Sequence, residues 1–126
     1  MPPRKKRLLL LDRSELVENM LRLLLIDSTV TVAALHQTDE LESYLRKYPV
    51  ELLVVNSNFL EIAQGEFLQL LQTVPQLQKL PKIFLYREDE HVLQQKFAAI
   101  PHVLSTVRPF HPEAFKDLVN GVLQHV

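Results

Sequence analysis

The chain has 126 residues, of which 47% are apolar and 23% charged, with a formal net charge of −1. That composition is sufficient for one domain with one core and excludes a disordered chain. No apolar run approaches the roughly 18 residues that cross a bilayer, and the absence of cysteine excludes disulfides, thiolate zinc sites and cysteine nucleophiles.

Charge is unevenly spread. Arg4, Lys5, Lys6 and Arg7 supply four of the 14 positive charges, and all 15 acids follow them. Residues 1–7 read as a basic, solvated tail and 8–126 as the domain. The tail could touch nucleic acid or an acidic partner. The acidic body lacks the broad basic face of a nucleic-acid binder, so nucleic acid is not the expected partner. No signal-peptide core follows the basic start, and the expected location is the cytoplasm.

Strand and helix patterns then alternate. Leu8–Leu11 is a buried strand. From Ser14, a candidate N-cap, the residues Leu16, Val17, Met20, Leu21 and Leu24 fall on one helical face. Val30–Leu35 is a second strand. Thr38 or Asp39 starts a second helix that buries Leu41, Tyr44, Leu45 and Tyr48, and Pro49 ends it. The run "VELLVVNSNF" (50–59) is a fully buried third strand ending in polar residues. Phe59, Leu60 and Ile62 read as an apolar loop, and Gly65 as the lead into a third helix.

Pro81–Tyr86 is the fourth strand. Asp89–Ala99 is a fourth helix with Val92, Leu93 and Phe97 inward, and Val103–Val107 the fifth strand. Pro112 suits the first position of a last helix burying Ala114, Phe115, Leu118, Val119 and Val122. Leu23, Leu25 and Ile26 exceed what one helix face needs, and half-buried packing is the expected reading. Five strands and five helices in alternation imply an α/β fold. It is a three-layer sandwich with a parallel sheet covered on both faces, in the flavodoxin-like order 2-1-3-4-5.

Sites in such sheets form at the carboxyl ends of the strands. The tips here are Asp12 and Arg13, Asn56 and Ser57, Tyr86 and Arg87, and Val107 and Arg108. Nucleotide sites need glycine-rich turns, and the two glycines, Gly65 and Gly121, follow no tip. The five histidines have no metal-ligand spacing. A serine triad finds no nucleophile elbow. No catalytic residue, metal or cofactor is expected.

At these tips the chain resembles the CheY-like receiver domain of two-component response regulators, a bacterial signalling family. "KRLLLLDRS" (6–14) is similar to its first strand and acidic tip, and "ELLVVNSNF" (51–59) to the strand of the phosphoaccepting aspartate. "PKIFLYRE" (81–88) is similar to the strand of the hydroxyl switch residue. "VRPF" (107–110) is similar to its Lys-Pro-Phe element. The resemblance also implies a cis Arg108–Pro109 bond.

The departures define the expected function. The paired acids that hold Mg²⁺ in the family appear as Asp12 and Arg13. The phosphoacceptor falls on Asn56, or on Ser57 if the register shifts by one. The hydroxyl switch appears as Tyr86, the aromatic switch as Ser105, and the phosphoryl-contacting lysine as Arg108. Without an aspartate no acyl phosphate forms, and Asp12 is the one sure carboxylate left for Mg²⁺. Tyr86 is expected to fill the space that the family's mobile aromatic enters.

The resemblance therefore implies a non-enzymatic pseudo-receiver that works by protein–protein contact, with a homodimer left open. Its partner face would hold Gln94, Gln95, His111 and Lys116 around the fourth helix, fifth strand and last helix. The alternative is a small-anion sensor in which Arg13, Arg87 and Arg108 converge on the old phosphate pocket. Against it stands the pairing of Asp12 with Arg13 or Arg108.

Overall fold

The computed structural model describes residues 5–108 and 111–124, except the side chains of residues 61–64 and of Arg108. Arg4, the Ile62 side chain, the Arg108 side chain, Pro109, Phe110 and His125 lie outside the described residues, and with them the cis bond and most of "VRPF".

Five strands, β1 (Lys6–Leu11), β2 (Val30–Leu35), β3 (Leu52–Asn56), β4 (Lys82–Arg87) and β5 (Val103–Arg108), form one parallel sheet in the order β2-β1-β3-β4-β5. The register sets Leu11 beside Leu35 and Val55, and Asn56 beside Leu85. This is the flavodoxin-like order expected from the alternation. β1 starts two residues before the apolar run: Lys6 and Arg7 pair with Val30 and Thr31.

Among the described residues the helices number more than five. They are α1 (Leu16–Leu24), a 3₁₀ turn (Thr38–Glu40), α2 (Leu41–Lys47), α3 (Ser57–Thr73), α4 (Pro75–Lys79), α5 (His91–Lys96) and α6 (Pro112–Leu123). The alternation of strand side chains divides the core in two. Leu9, Leu11, Val55, Phe84 and Tyr86 face α2, α3, α4 and α5. Leu8, Leu10, Val54, Ile83 and Leu85 face α1 and α6. All five residues of β3 are buried, which explains why a continuous apolar run marked it.

Helix boundaries and faces depart from the sequence reading. Ser14 does not cap α1, because its N–H and hydroxyl turn back to Asp12; the N-cap is Glu15. Leu16 is 78% exposed and Val92 71%, and Ala114 is exposed as well. Each sits in the first turn of its helix, off the face that meets the sheet. Met20, Leu24, Leu118 and Val122 are half-buried. Tyr48 follows the last residue of α2 in extended backbone and is 45% exposed. α3 begins at Ser57, immediately after β3, and runs through Gly65, so the expected loop at Phe59 and Leu60 is helix with both side chains buried. Leu25 packs inward, whereas Leu23 and Ile26 are each 71% exposed, against the packing expected for them.

Candidate functional site

The strand tips place Asp12, Asn56 and Asn58 together. Asp12 follows β1, Asn56 closes β3, and Asn58 lies in the first turn of α3. Asp12 and Asn56 are almost wholly buried, at 0% and 1% exposure. The Asn56 amide Nδ2 donates to Asp12 Oδ2 at 3.1 Å. The Asn58 amide Nδ2 donates to Asp12 Oδ1 at 2.7 Å. The same Oδ1 accepts the Ser14 N–H at 3.0 Å and the Ser14 hydroxyl at 3.4 Å. The Asp12–Ser14 contact is an Asx-turn, a local preference of aspartate. A buried carboxylate is tolerable only when hydrogen bonds replace its hydration, and here two side-chain amides and a turn do so.

Asn56 is the residue that faces Asp12; Ser57, also buried, is the first residue of α3. Asn56 Oδ1 is buried with no hydrogen-bond partner among the described residues. The rim is tied to β2 by His36, whose Nδ1 lies 2.7 Å from the Asp12 carbonyl oxygen. A carbonyl only accepts, so Nδ1 carries the proton. Nε2 then faces Glu18 Oε1 at 3.8 Å, and Glu18 also binds Arg22 at 2.9 Å.

Arg13 and Arg87 are each held in their own turn, and the Arg108 side chain lies outside the described residues. Arg13 contributes its backbone N–H to Asn58 Oδ1 at 3.4 Å, while its side chain is exposed. No ion pair joins it to Asp12 among the described residues. Arg87 is drawn into the following turn, with its guanidinium 3.3 Å from Glu90 Oε2 and 3.7 Å from Asp89 Oδ1. Of the two pairings expected for Asp12, the one with Arg13 is not formed and amides cap the carboxylate instead, while the one with Arg108 falls on a side chain outside the described residues. A neutral amide beside a carboxylate does what the cation was expected to do, because it donates a hydrogen bond without requiring its own desolvated charge to be paired.

Tyr86 is 1% exposed. Its ring packs edge-on against Phe84 at 6.2 Å between centroids, and Phe84 packs likewise on Phe97 at 5.8 Å. Burial, helped by the charge of Glu90, pushes the phenol up to about 12. Ser105 on β5 is exposed. It shares with Tyr86, Phe97 and Ile100 the wall of a hollow of about 210 Å³ between α5 and β5. Tyr86 and Ser105 thus line one hollow, while the register sets Ser105 beside Phe84 and Tyr86 beside Val107. Gln94 and Lys116 are half-buried, and Gln95 and His111 exposed. They flank the edge strand β5 from the two faces of the sheet, on α5 and α6.

Sequence reasoning assigned no rim role to two residues that hold Asp12. Asn58 was legible only once α3 was known to start at Ser57, which turns it back toward Asp12. His36 carries no motif, and its place follows from the pairing of β1 with β2. Lys82, also unremarked in sequence, is buried, with Nζ donating to Leu80 O at 2.7 Å and Pro101 O at 3.1 Å. Burial lowers its ammonium to about 8. Among the described residues no group of three or more His, Cys, Asp and Glu is placed to hold a metal ion, and no helix is long and apolar enough to cross a membrane.

This architecture is the receiver-domain fold. The chain superimposes on chemotaxis response regulator CheY4 of Vibrio cholerae with a TM-score of 0.76 at 20% identity, over 93% of this chain and 98% of that one. A response regulator receiver protein from Burkholderia phymatum gives 0.75 at 17%, over 95% and 96%. The signal receiver domain of an HD domain-containing protein from Pseudomonas fluorescens Pf-5 gives 0.79 at 16%, over 99% and 91%. Neither a family model nor a curated protein sequence matches the chain. The likeness is one of fold, and the strand tips carry this chain's own residues.

Proposed function

We propose that this chain is a pseudo-receiver: a non-catalytic, cytoplasmic signalling module that acts through protein–protein contacts without aspartate phosphorylation. One observation carries the reading. At the tip of β3 the side chain facing Asp12 is the amide of Asn56, and that amide is spent on capping Asp12. A carboxamide is no nucleophile for phosphoryl transfer. The cap also occupies one of the carboxylate oxygens that a cation would take.

The buried Tyr86 supports a fixed output face. Its ring already lies within the core, at the wall of the hollow that Ser105 also lines, and β5, VLSTVR, carries no aromatic that could move in response to the rim. The partner face in this reading is the surface of α5, β5 and α6 that displays Gln95, His111 and Lys116. Val92 on α5 and Leu104 and Val107 on β5 add exposed apolar area there, at 71%, 46% and 40%.

The test is an amide NMR titration with Mg²⁺ and beryllofluoride, a phosphoryl mimic. Expected are no saturable shifts at Asp12, Asn56 or Ser57. Saturable shifts there that spread to β5 would mean that the rim still senses a phosphoryl group, and would sink the proposal.

A further inference from the structure

Helix α1 is apolar on two sides. Val17, Leu21 and Leu25 pack on the sheet. At about 100° per residue, Leu16, Asn19, Leu23 and Ile26 centre on the opposite side, which is turned to solvent. Ile26 lies just past the end of α1, and the coil continues to it. The Leu25 N–H donates to Leu21 O at 3.0 Å and the Ile26 N–H to Leu23 O at 3.4 Å. Leu16, Leu23 and Ile26 are, with Val92, the most exposed large apolar residues described, and Asn19 is exposed among them. The outer side of a surface helix is ordinarily polar, and a helix apolar all round is a buried one. Leu23 and Ile26 find no cover within their own chain.

Spacing and charge identify the cover. The steps from Leu16 to Asn19, Leu23 and Ile26 are three, four and three residues, those of a heptad seam through which two helices pack. A lone amide in such a seam is costly opposite an aliphatic chain and satisfied opposite a second amide. In a parallel, in-register pair of α1 helices about a two-fold axis, each seam residue meets its own copy, so Asn19 meets Asn19 and fixes the register. Arg22 and Asp27 flank the seam on its two sides, at the g and e positions whose side chains meet across a parallel pair. Asp27 is exposed and forms no ion pair among the described residues. Arg22 is exposed and bound to Glu18 at 2.9 Å and to Val32 O at 2.6 Å, which leaves guanidinium N–H groups for a second acid. The parallel pair gives Asp27 the Arg22 of the second copy, and sets Glu15, the other charge at a g position, beside Met20 rather than an acid. An antiparallel pair would set Asn19 against Leu23 and Arg22 against its own copy.

We propose that the outer side of α1 is a self-association face: two copies of this chain pair through Leu16, Asn19, Leu23 and Ile26, parallel and in register. One short helical stripe is smaller than the roughly 800 Å² per partner of a standard interface, so the dimer is reversible and forms as concentration rises. The seam involves neither the strand-tip rim nor the α5–β5–α6 face, so it stands or falls separately from the pseudo-receiver reading.

The test is sedimentation equilibrium of the full chain from about 10 μM to about 1 mM. A monomer–dimer equilibrium is expected, with amide shifts on dilution at Asn19, Leu23 and Ile26. Leu23→Glu, at an exposed position and shown to fold by circular dichroism, abolishes the dimer. Asp27→Arg, which sets like charges across the seam, weakens it about tenfold. The chain has no cysteine, so Asn19→Cys adds a single thiol that faces its own copy in the in-register pair. Added diamide then links it into a covalent dimer, and leaves Gln95→Cys on α5 monomeric. A chain that stays monomeric up to about 1 mM overturns the proposal and leaves the face to a different protein. So does a dimer indifferent to Leu23→Glu, or dilution shifts confined to α5 and β5. A disulfide that forms only when Asn19→Cys and Leu23→Cys chains are mixed would show antiparallel pairing and overturn the register.

Discussion

At the scale of single residues, the Asp12–Asn56 contact holds the most chemistry. Replacing Asn56 by Asp removes a hydrogen bond to a buried carboxylate and sets a second carboxylate against the first. The lost bond alone is worth about 1.5–3 kcal/mol. Like charges roughly 4 Å apart add a repulsion of up to about 4 kcal/mol at an effective dielectric near 20, which protonation of one member relieves. The new pair holds a proton more tightly folded than unfolded. Its stability is intact below the ordinary carboxylate range and is lost as pH rises through the folded value. Asn56→Asp should therefore lower Tm by roughly 5–10 °C at neutral pH and far less near pH 4. Calorimetry at the two pH values checks this; an unchanged Tm at neutral pH would mean that the amide cap is not formed.

Lys82 titrates in the opposite sense. Its ammonium is depressed to about 8 from 10.5 by burial, so between those values the unfolded chain binds more protons than the folded one. Stability then rises with pH across that window. Tyr86 takes over above it: with its phenol raised to about 12 from 10.0, stability falls from pH 10 upward. Denaturant midpoints measured from pH 7 to 10 should climb in the native chain and flatten in Lys82→Met. A flat profile in both would remove Lys82 from the account.

The elements show where sequence is a good guide and where it is not. Strands were legible because burial on both faces leaves only apolar side chains to place, and Leu8–Leu11 and Leu52–Val55 read directly as such. Helix starts were not. None of the N-cap residues, from Glu15 before α1 to His111 before α6, makes a side-chain capping bond, so the Ser, Thr and Asp signals used to find them pointed elsewhere. Ser14 serves the Asp12 turn instead. Gly65 looked like a helix entrance, yet its backbone is not in the left-handed region and a Cβ there would meet nothing within 4 Å. It is an ordinary interior position of α3. Asn56 and Ser57 read as the polar tip of a strand, and the burial of Asn56 follows from its contact with Asp12, which no local pattern encodes. The rim itself was found by topology: once the order 2-1-3-4-5 is fixed, Asp12 and Asn56 must be neighbours. The directions of Arg13 and Arg87 were not, since each is set by the turn that follows it.

Across the whole molecule, the sheet is asymmetric in a way that bears on the proposed output face. β1 and β3 are each paired on both sides, and β3 is wholly buried. β5 pairs with β4 alone. Leu104, Ser105 and Val107 are exposed, the hollow of about 210 Å³ lies beneath α5, and α5 has only six residues. Edge strands with few buried contacts open in partial unfolding, at free energies below the global value. Native-state hydrogen exchange should therefore divide the chain. Amides of β1 and β3 exchange with the slope and free energy of global unfolding. Those of β5 and α5 exchange earlier, with a smaller denaturant dependence, as one unit. Uniform protection across all five strands would show instead that α5 and β5 are welded to the core. A partner that covers the α5–β5–α6 face has a defined signature in the same measurement: it raises protection in β5 and α5 while leaving β1 and β3, already at the global limit, almost unmoved.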